Sequence, residues 1–247
     1  LKGDGIGPEI VNSSIDIINF LKKKLSLKID LIHSEIGLSS LKSQGTTFPD
    51  SLLDICKKSD GIILGPIDHN SYPLEKDGGL NPSGILRTQL NLYSNIRPAR
   101  TYPSIKSIVD EMDLIIVREN TEGFYSDRNM HLGNGEFLPE PGLGIALRKI
   151  TEKGSKRIAL RAFELASTLK KNKSKINVHA IHKANVMKLT DGIFLNSCRE
   201  VSKNFSKINY SEMIVDAAAA HLVRNPSQFD VIVTTNMFGD ILSDLAS

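Results

Sequence analysis

Near the carboxyl end, the stretch FDVIVTTNMFGDILSD sets an apolar run, Val231-Ile232-Val233-Thr234, ahead of two aspartates four residues apart, Asp240 and Asp244. At that spacing both carboxylates share one helical face, with roots roughly 5–6 Å apart, where like charges disfavour the helix. The helix N-terminus offsets part of this for Asp240, but Asp244 lies a turn further in. A hard divalent cation, Mg²⁺ or Mn²⁺, converts the repulsion into coordination, because such ions take a few carboxylates plus ligand oxygens and water. The alternative is a capping aspartate followed by an exposed one.

Other residue types point to an anion. Arg87 and Arg97 lie ten apart in LNPSGILRTQLNLYSNIRP, and Arg118 closes the apolar run DLIIVRE. Guanidinium forks bind carboxylates bidentately, so converging arginines suit a polycarboxylate; the spacing of the first two alone favours plain surface arginines. Arg118 differs, because a cation at the end of a buried strand needs a partner, and ligands of open α/β sheets gather at that edge. Tyr125 follows seven residues later. In HAIHKANVMK, Lys183 stands just past another apolar run, with His182 and Asn185 beside it. A partly desolvated lysine loses basicity and serves as a general base or acid, whereas a strand-end lysine otherwise reaches solvent. Asp216 opens the alanine-rich VDAAAAHLV, as either a ligand or a helix cap.

These residues need elements to hold them. Strands are expected at 27–34, 61–66, 95–100, 113–119, 176–182 and 229–236, and helices near 8–24, 50–58, 82–93, 155–171, 190–204, 217–224 and 238–246. Short continuous apolar runs between helices argue for strands covered on both faces, hence an α/β protein. The Gly- and Pro-rich segment 126–144 is expected to be a loop or a hairpin arm. A domain boundary is expected near Pro98 and Pro103, giving one part over 1–98 and another over 99–247. The opening GDGIGPEI fails the G-x-G-x-x-G template and reads as a tight turn into a helix, with Pro8 preorganised at its start.

The totals exclude several classes. A net charge of +3, from 31 Lys and Arg against 28 Asp and Glu, is too small and scattered to argue for nucleic acid. No run of 18 apolar residues suggests a membrane span. Two cysteines, Cys56 and Cys198, make no disulfide framework and suggest a reducing, cytoplasmic setting. With no initiator Met, and an end three residues past Asp244 inside helical patterning, the chain reads as a C-terminally truncated fragment.

GDGIGPE, LRTQLNLYSNIRP, VRENTEGFY, HKANVMK, VDAAAAHLV and FDVIVTTNMFGDILSD resemble, in order and spacing, blocks of the isocitrate/isopropylmalate dehydrogenase family of metal-dependent β-decarboxylating dehydrogenases. The resemblance covers essentially the whole chain. It implies an isopropylmalate dehydrogenase-like two-domain fold, with a mixed sheet flanked by helices and not a Rossmann fold. On it, 1–98 is part of a large cofactor-side domain, and 99–247 is a small domain whose arm at 126–144 clasps a second subunit. Arg87, Arg97 and Arg118 match arginines that clamp the substrate's carboxylates, and Asp216, Asp240 and Asp244 match metal ligands. Tyr125 matches the acid that protonates the enol carbon, Lys183 the lysine that assists deprotonation of the C2 hydroxyl, and Asn185 a residue near the nicotinamide. The cofactors implied are NAD or NADP with Mg²⁺ or Mn²⁺. The partner implied is an identical subunit, with Lys183 and Asp216 completing the other chain's site.

Substrate choice in the family turns on residues just before the first clamp arginine. Here Asn81 and Ser83 occupy that stretch, and as polar groups they suit a third carboxylate, pointing to an isocitrate- or homoisocitrate-type acid. An isopropyl arm would leave each unpaired at about 1–3 kcal/mol if buried. The alternatives are 3-isopropylmalate, a tartrate- or malate-like acid, or a non-catalytic regulatory subunit of a hetero-oligomeric isocitrate dehydrogenase. The adenosine pocket of the family lies downstream of the last metal aspartate, so NAD and NADP are not distinguished, and the chain by itself is expected to turn over little substrate.

Overall fold

The computed structural model describes residues 1–124, 135–169 and 175–247, which form two compact units, Leu1–Asn91 and Leu92–Ser247. The division falls seven residues before the expected boundary. The strand containing Pro98 belongs wholly to the second unit, where it is an edge strand, a position in which a missing amide hydrogen is tolerated.

The first unit carries helices α1 (Gly7–Leu25), α2 (Leu38–Gln44), α3 (Asp50–Lys58) and α4 (Pro82–Gln89), and its core joins Leu52 and Cys56 of α3 and Leu86 of α4 to Ile36 and Phe48. The opening motif is a turn, as its spacing predicts. Gly3 has φ +71°, and a Cβ there would fall 2.2 Å from the Pro66 carbonyl. The buried Asp4 carboxylate accepts from Leu38 N (2.7 Å), Asp68 N (3.0 Å) and the Tyr72 hydroxyl (2.5 Å), so it ties three segments together. The strands expected at 27–34 and 61–66 are not formed. Leu27, Ile32, Ile62 and Ile63 are exposed. The second run is extended and exchanges bonds with residues 1–4: Leu1 N to Ile63 O (3.1 Å), Gly65 N to Leu1 O (3.0 Å), Asp4 N to Pro66 O (2.7 Å). These bonds fasten the second run to residues 1–4 without making a named strand, so apolar content alone does not decide strand pairing.

The second unit is a helix-flanked sheet. Strands β1 (Ser94–Arg100), β2 (Asp113–Glu119), β5 (Ile176–His182), β6 (Ile208–Ile214) and β7 (Val231–Thr234) assemble in the order β1-β2-β7-β5-β6. β1 runs antiparallel to β2; the other pairings are parallel. Strand β6 was not expected, because its alternation of polar and apolar residues at a sheet edge looks unlike the continuous apolar runs of the interior strands. Helices α5 (Glu152–Thr168) and α6 (Thr190–Ser202) cover one face through Ile158, Ala162, Phe163, Phe194 and Cys198. Helices α7 (Val215–Arg224) and α8 (Asn236–Leu245) cover the other, where Leu114, Ile116, Ile181 and Ile232 meet Leu222 and Leu242.

The described part of the Gly/Pro-rich segment is a hairpin, β3 (Glu136–Glu140) and β4 (Leu143–Ala146), turning at Gly142 (φ +84°). Phe137, Leu138, Leu143 and Ile145 on it are all exposed. Residues 126–134 of the expected arm lie outside the described residues.

Candidate active site

The parallel strands end level with one another. Arg118 pairs with Thr234, Thr234 with Ile181, and His182 with Ile214, so the residues that follow each strand open on one edge of the sheet. This carboxyl edge of a parallel sheet is where converging helix N-termini and strand-end side chains build ligand sites.

At one side of this edge stands Arg118, 2% exposed, at the end of β2. Its Nε and Nη2 both donate to Asn236 Oδ1, at 2.9 and 2.7 Å, and its Nη1 donates to Asp240 Oδ1. The guanidinium therefore lies along the first turns of α8, the helix that carries Asp240 and Asp244. Gly239 makes this possible, since a Cβ there would fall 2.5 Å from Arg118 Cγ. Arg97 is on the same sheet face: Asn95 is Arg118's partner in register, Arg97 is two residues on, and its Nε donates to Asn95 Oδ1 at 2.9 Å.

Next to it on the edge stand Lys183 and Asp216. They follow the adjacent strands β5 and β6, and the Lys183 ammonium donates to Asp216 Oδ1. That bond, helped by the Asp216 backbone amide, holds the Asp216 carboxyl below the usual carboxylate range. The exposed Asn185 lies in the turn after Lys183.

In the first unit, Ser83 and Arg87 lie half-buried on α4. Asn81 is the N-cap of that helix, its Oδ1 accepting from Gly84 N at 3.0 Å, so its side-chain oxygen serves the helix. Tyr125 lies outside the described residues.

Several residues that hold the site were not singled out by spacing. The buried Asp191, at the start of α6, accepts from Arg148 Nη1 and from the Lys183 backbone amide, each at 2.5 Å. Arg148 also donates to Thr190 Oγ1 (2.7 Å) and Thr235 Oγ1 (3.1 Å), and stacks near Phe124 and Phe238. One ion pair thus joins Lys183 to the entry of α8. In the turn after Arg118, Glu119 accepts from Thr121 N and Oγ1, and Glu122 accepts from Thr151 N and Oγ1 at the head of α5. Burial pushes the Glu119 carboxyl above its ordinary range. Asp191 offered one legible signal, an acid opening a helix, which on its own reads as a cap; Asn236 offered none.

Among the described residues no three His, Cys, Asp or Glu side chains gather at one point. Asp240 and Asp244 present oxygen donors alone from a single helix face, half-exposed and exposed. That donor chemistry fits a hard divalent cation and not a soft one.

The whole chain, residues 1–247, matches the family model described as isocitrate/isopropylmalate dehydrogenase. It is 43% identical to the 3-isopropylmalate dehydrogenase of Saccharolobus solfataricus, over all of this chain and 67% of that protein. It is 40% identical to the homoisocitrate dehydrogenase of Methanocaldococcus jannaschii, over all of this chain and 69% of that one. The crystal structure of isocitrate dehydrogenase from Methylococcus capsulatus superposes with a TM-score of 0.80 at 33% identity, covering 99% of this chain and 68% of that one. The chain belongs to the isocitrate/isopropylmalate dehydrogenase family, and with it to the NAD(P)-dependent, metal-requiring oxidoreductases that decarboxylate hydroxy acids.

Proposed function

We propose that this chain carries the catalytic edge of an enzyme that oxidises a 2-hydroxy-3-carboxy acid at C2 and releases the C3 carboxylate as CO₂. The observation that carries this reading is the alignment, on one sheet edge, of an arginine beside a paired-aspartate helix with a lysine–aspartate pair. Arg87, Arg97 and Arg118 hold the carboxylates. Lys183 accepts the C2 hydroxyl proton; NAD or NADP, when bound, would supply the hydride acceptor for C2, and Asn185 would help to hold its nicotinamide. The C3–carboxylate bond then breaks, its electron pair forms an enolate, and Tyr125 protonates the carbon that lost CO₂. Asp240 and Asp244, with Asp216 from a second copy, would hold Mg²⁺ or Mn²⁺, which supplies charge stabilisation at the substrate oxygens.

A homodimer with shared sites is part of the same proposal. Lys183 and Asp216 form a pair that a second copy can receive together, and the hairpin offers four exposed apolar side chains for subunit contact. In this reading 126–144 is the arm that clasps the partner, and 1–91 is part of the cofactor-side domain.

The substrate's third arm has two readings. Ser83 and the amide nitrogen of Asn81 favour a polar arm, as in isocitrate or homoisocitrate. The names of similar proteins support 3-isopropylmalate, the alternative the sequence already raised, as a second reading, and the use of Asn81 Oδ1 as a cap weakens the polar case. Turnover assays on the intact protein, with its adenosine pocket, using isocitrate, homoisocitrate, 3-isopropylmalate, malate and tartrate, each with NAD or NADP and with Mn²⁺ or EDTA, decide both. We expect metal-dependent reduction of the nicotinamide and CO₂ release with one of the first three acids. No turnover with any of them in a folded dimer would instead support a regulatory subunit.

A further inference from the structure

Arg118 is the most deeply buried of the three arginines, and how it is held decides what it can grip. Asn236 is 0% exposed, and its Oδ1 accepts from both Nε and Nη2 of Arg118. The orientation of that amide is set independently, because Asn236 Nδ2 donates to the Glu122 carbonyl at 2.9 Å. The fit is close on both flanks. A Cβ on Gly123 (φ +95°) would fall 3.2 Å from Asn236 Cβ, and one on Gly239 would meet the Arg118 stem. The side of the guanidinium that bears Nε is thereby committed to the protein. Its Nη1 end points to Asp240.

We infer that Asn236 is a positioning residue that turns Arg118 end-on, so that the acid substrate is gripped by the Nη1/Nη2 edge beside Asp240 and not by the Nε/Nη2 fork. This rests on the proposed role of Arg118 in binding a substrate carboxylate. The choice of an amide matters as much as its place. A neutral oxygen orients the guanidinium without setting a second carboxylate against it besides Asp240, whereas a carboxylate of the same shape would form a bidentate pair and weaken the attraction for an anion.

The test compares Asn236→Asp, Asn236→Ser and Arg118→Gln in the intact protein. KM and kcat are measured for isocitrate, homoisocitrate and 3-isopropylmalate, with calorimetric titration of the same acids in Mn²⁺ without nicotinamide. Asn236→Asp is expected to weaken acid binding about tenfold or more, the scale of one bond to a charged group, with kcat changing far less. Asn236→Ser, whose shorter oxygen does not span both nitrogens, is expected to weaken binding by a smaller factor. If Asn236→Asp does not fold, as judged by its thermal melt, Asn236→Ser decides. Binding weakened by Arg118→Gln but unchanged in the folded Asn236 variants overturns the positioning role. Binding unchanged by Arg118→Gln itself overturns the functional reading from which it was drawn.

Discussion

Asp191 shows how a residue that touches no substrate governs one that is proposed to. Its carboxylate is fully enclosed, shared between the Arg148 guanidinium and the Lys183 amide. Removing one partner of a buried pair leaves the other charge uncompensated, so Asp191→Asn is expected to cost about 3–5 kcal/mol in urea unfolding. The more exposed Arg199–Glu212 pair behaves differently. Arg199 Nε and Nη2 each donate at 2.7 Å to Glu212, and this fork holds the carboxyl below its ordinary range against the opposing effect of partial burial, with the Tyr210 hydroxyl helping. A carboxyl lowered in the folded state adds stability above its unfolded pKa, about 4.3, and that stability is lost as pH falls through the depressed folded value. Glu212→Gln is therefore expected to lower stability at pH 7 by up to about 1 kcal/mol. Its melting temperature should converge with that of the unmodified protein in acid.

Helix α8 is the element on which the site depends. Its first residue holds Arg118, its Gly239 admits the arginine stem, and its next two turns present Asp240 and Asp244. Gly239→Ala is expected to destabilise the protein by about 1–3 kcal/mol through overpacking. Because the displaced atoms belong to Arg118, KM for the acid should rise more than kcat falls, as steady-state kinetics would record. Helix α5 shows the same interplay on the opposite face. Thr151 caps it by accepting from Gly154 N at 3.0 Å, while Glu122 from the turn after β2 binds Thr151, so the cap also fastens the turn that follows Arg118.

For the whole molecule, the decisive arrangement is that Arg118 and Asp240 form one pair and Lys183 and Asp216 another. The proposed shared site makes a specific demand on mixed subunits. Lys183→Met and Asp240→Asn should each abolish turnover alone. Unfolded together and reassembled in equal amounts, they should recover about a quarter of normal activity, because half of the random dimers then hold one intact site. No recovery in a mixture shown to contain mixed dimers would mean that each chain builds its own site.

The sequence by itself determined the strands and helices of the second unit that carry continuous apolar runs, the placing of Arg118 and Lys183 at strand ends, and the i, i+4 spacing of Asp240 and Asp244. These are local matters of periodicity and burial. Only the tertiary structure decided that Pro98 lies inside an edge strand, that 27–34 and 61–66 pair in no ladder, and that Asn81 is spent as a cap. It alone revealed Asn236 and Asp191, since a hydrogen bond across 118 residues between Asn236 and Arg118 leaves no mark on the spacing of either neighbourhood. Which partners a polar group finds depends on the order in which strands join the sheet, and that order is a property of long-range pairing.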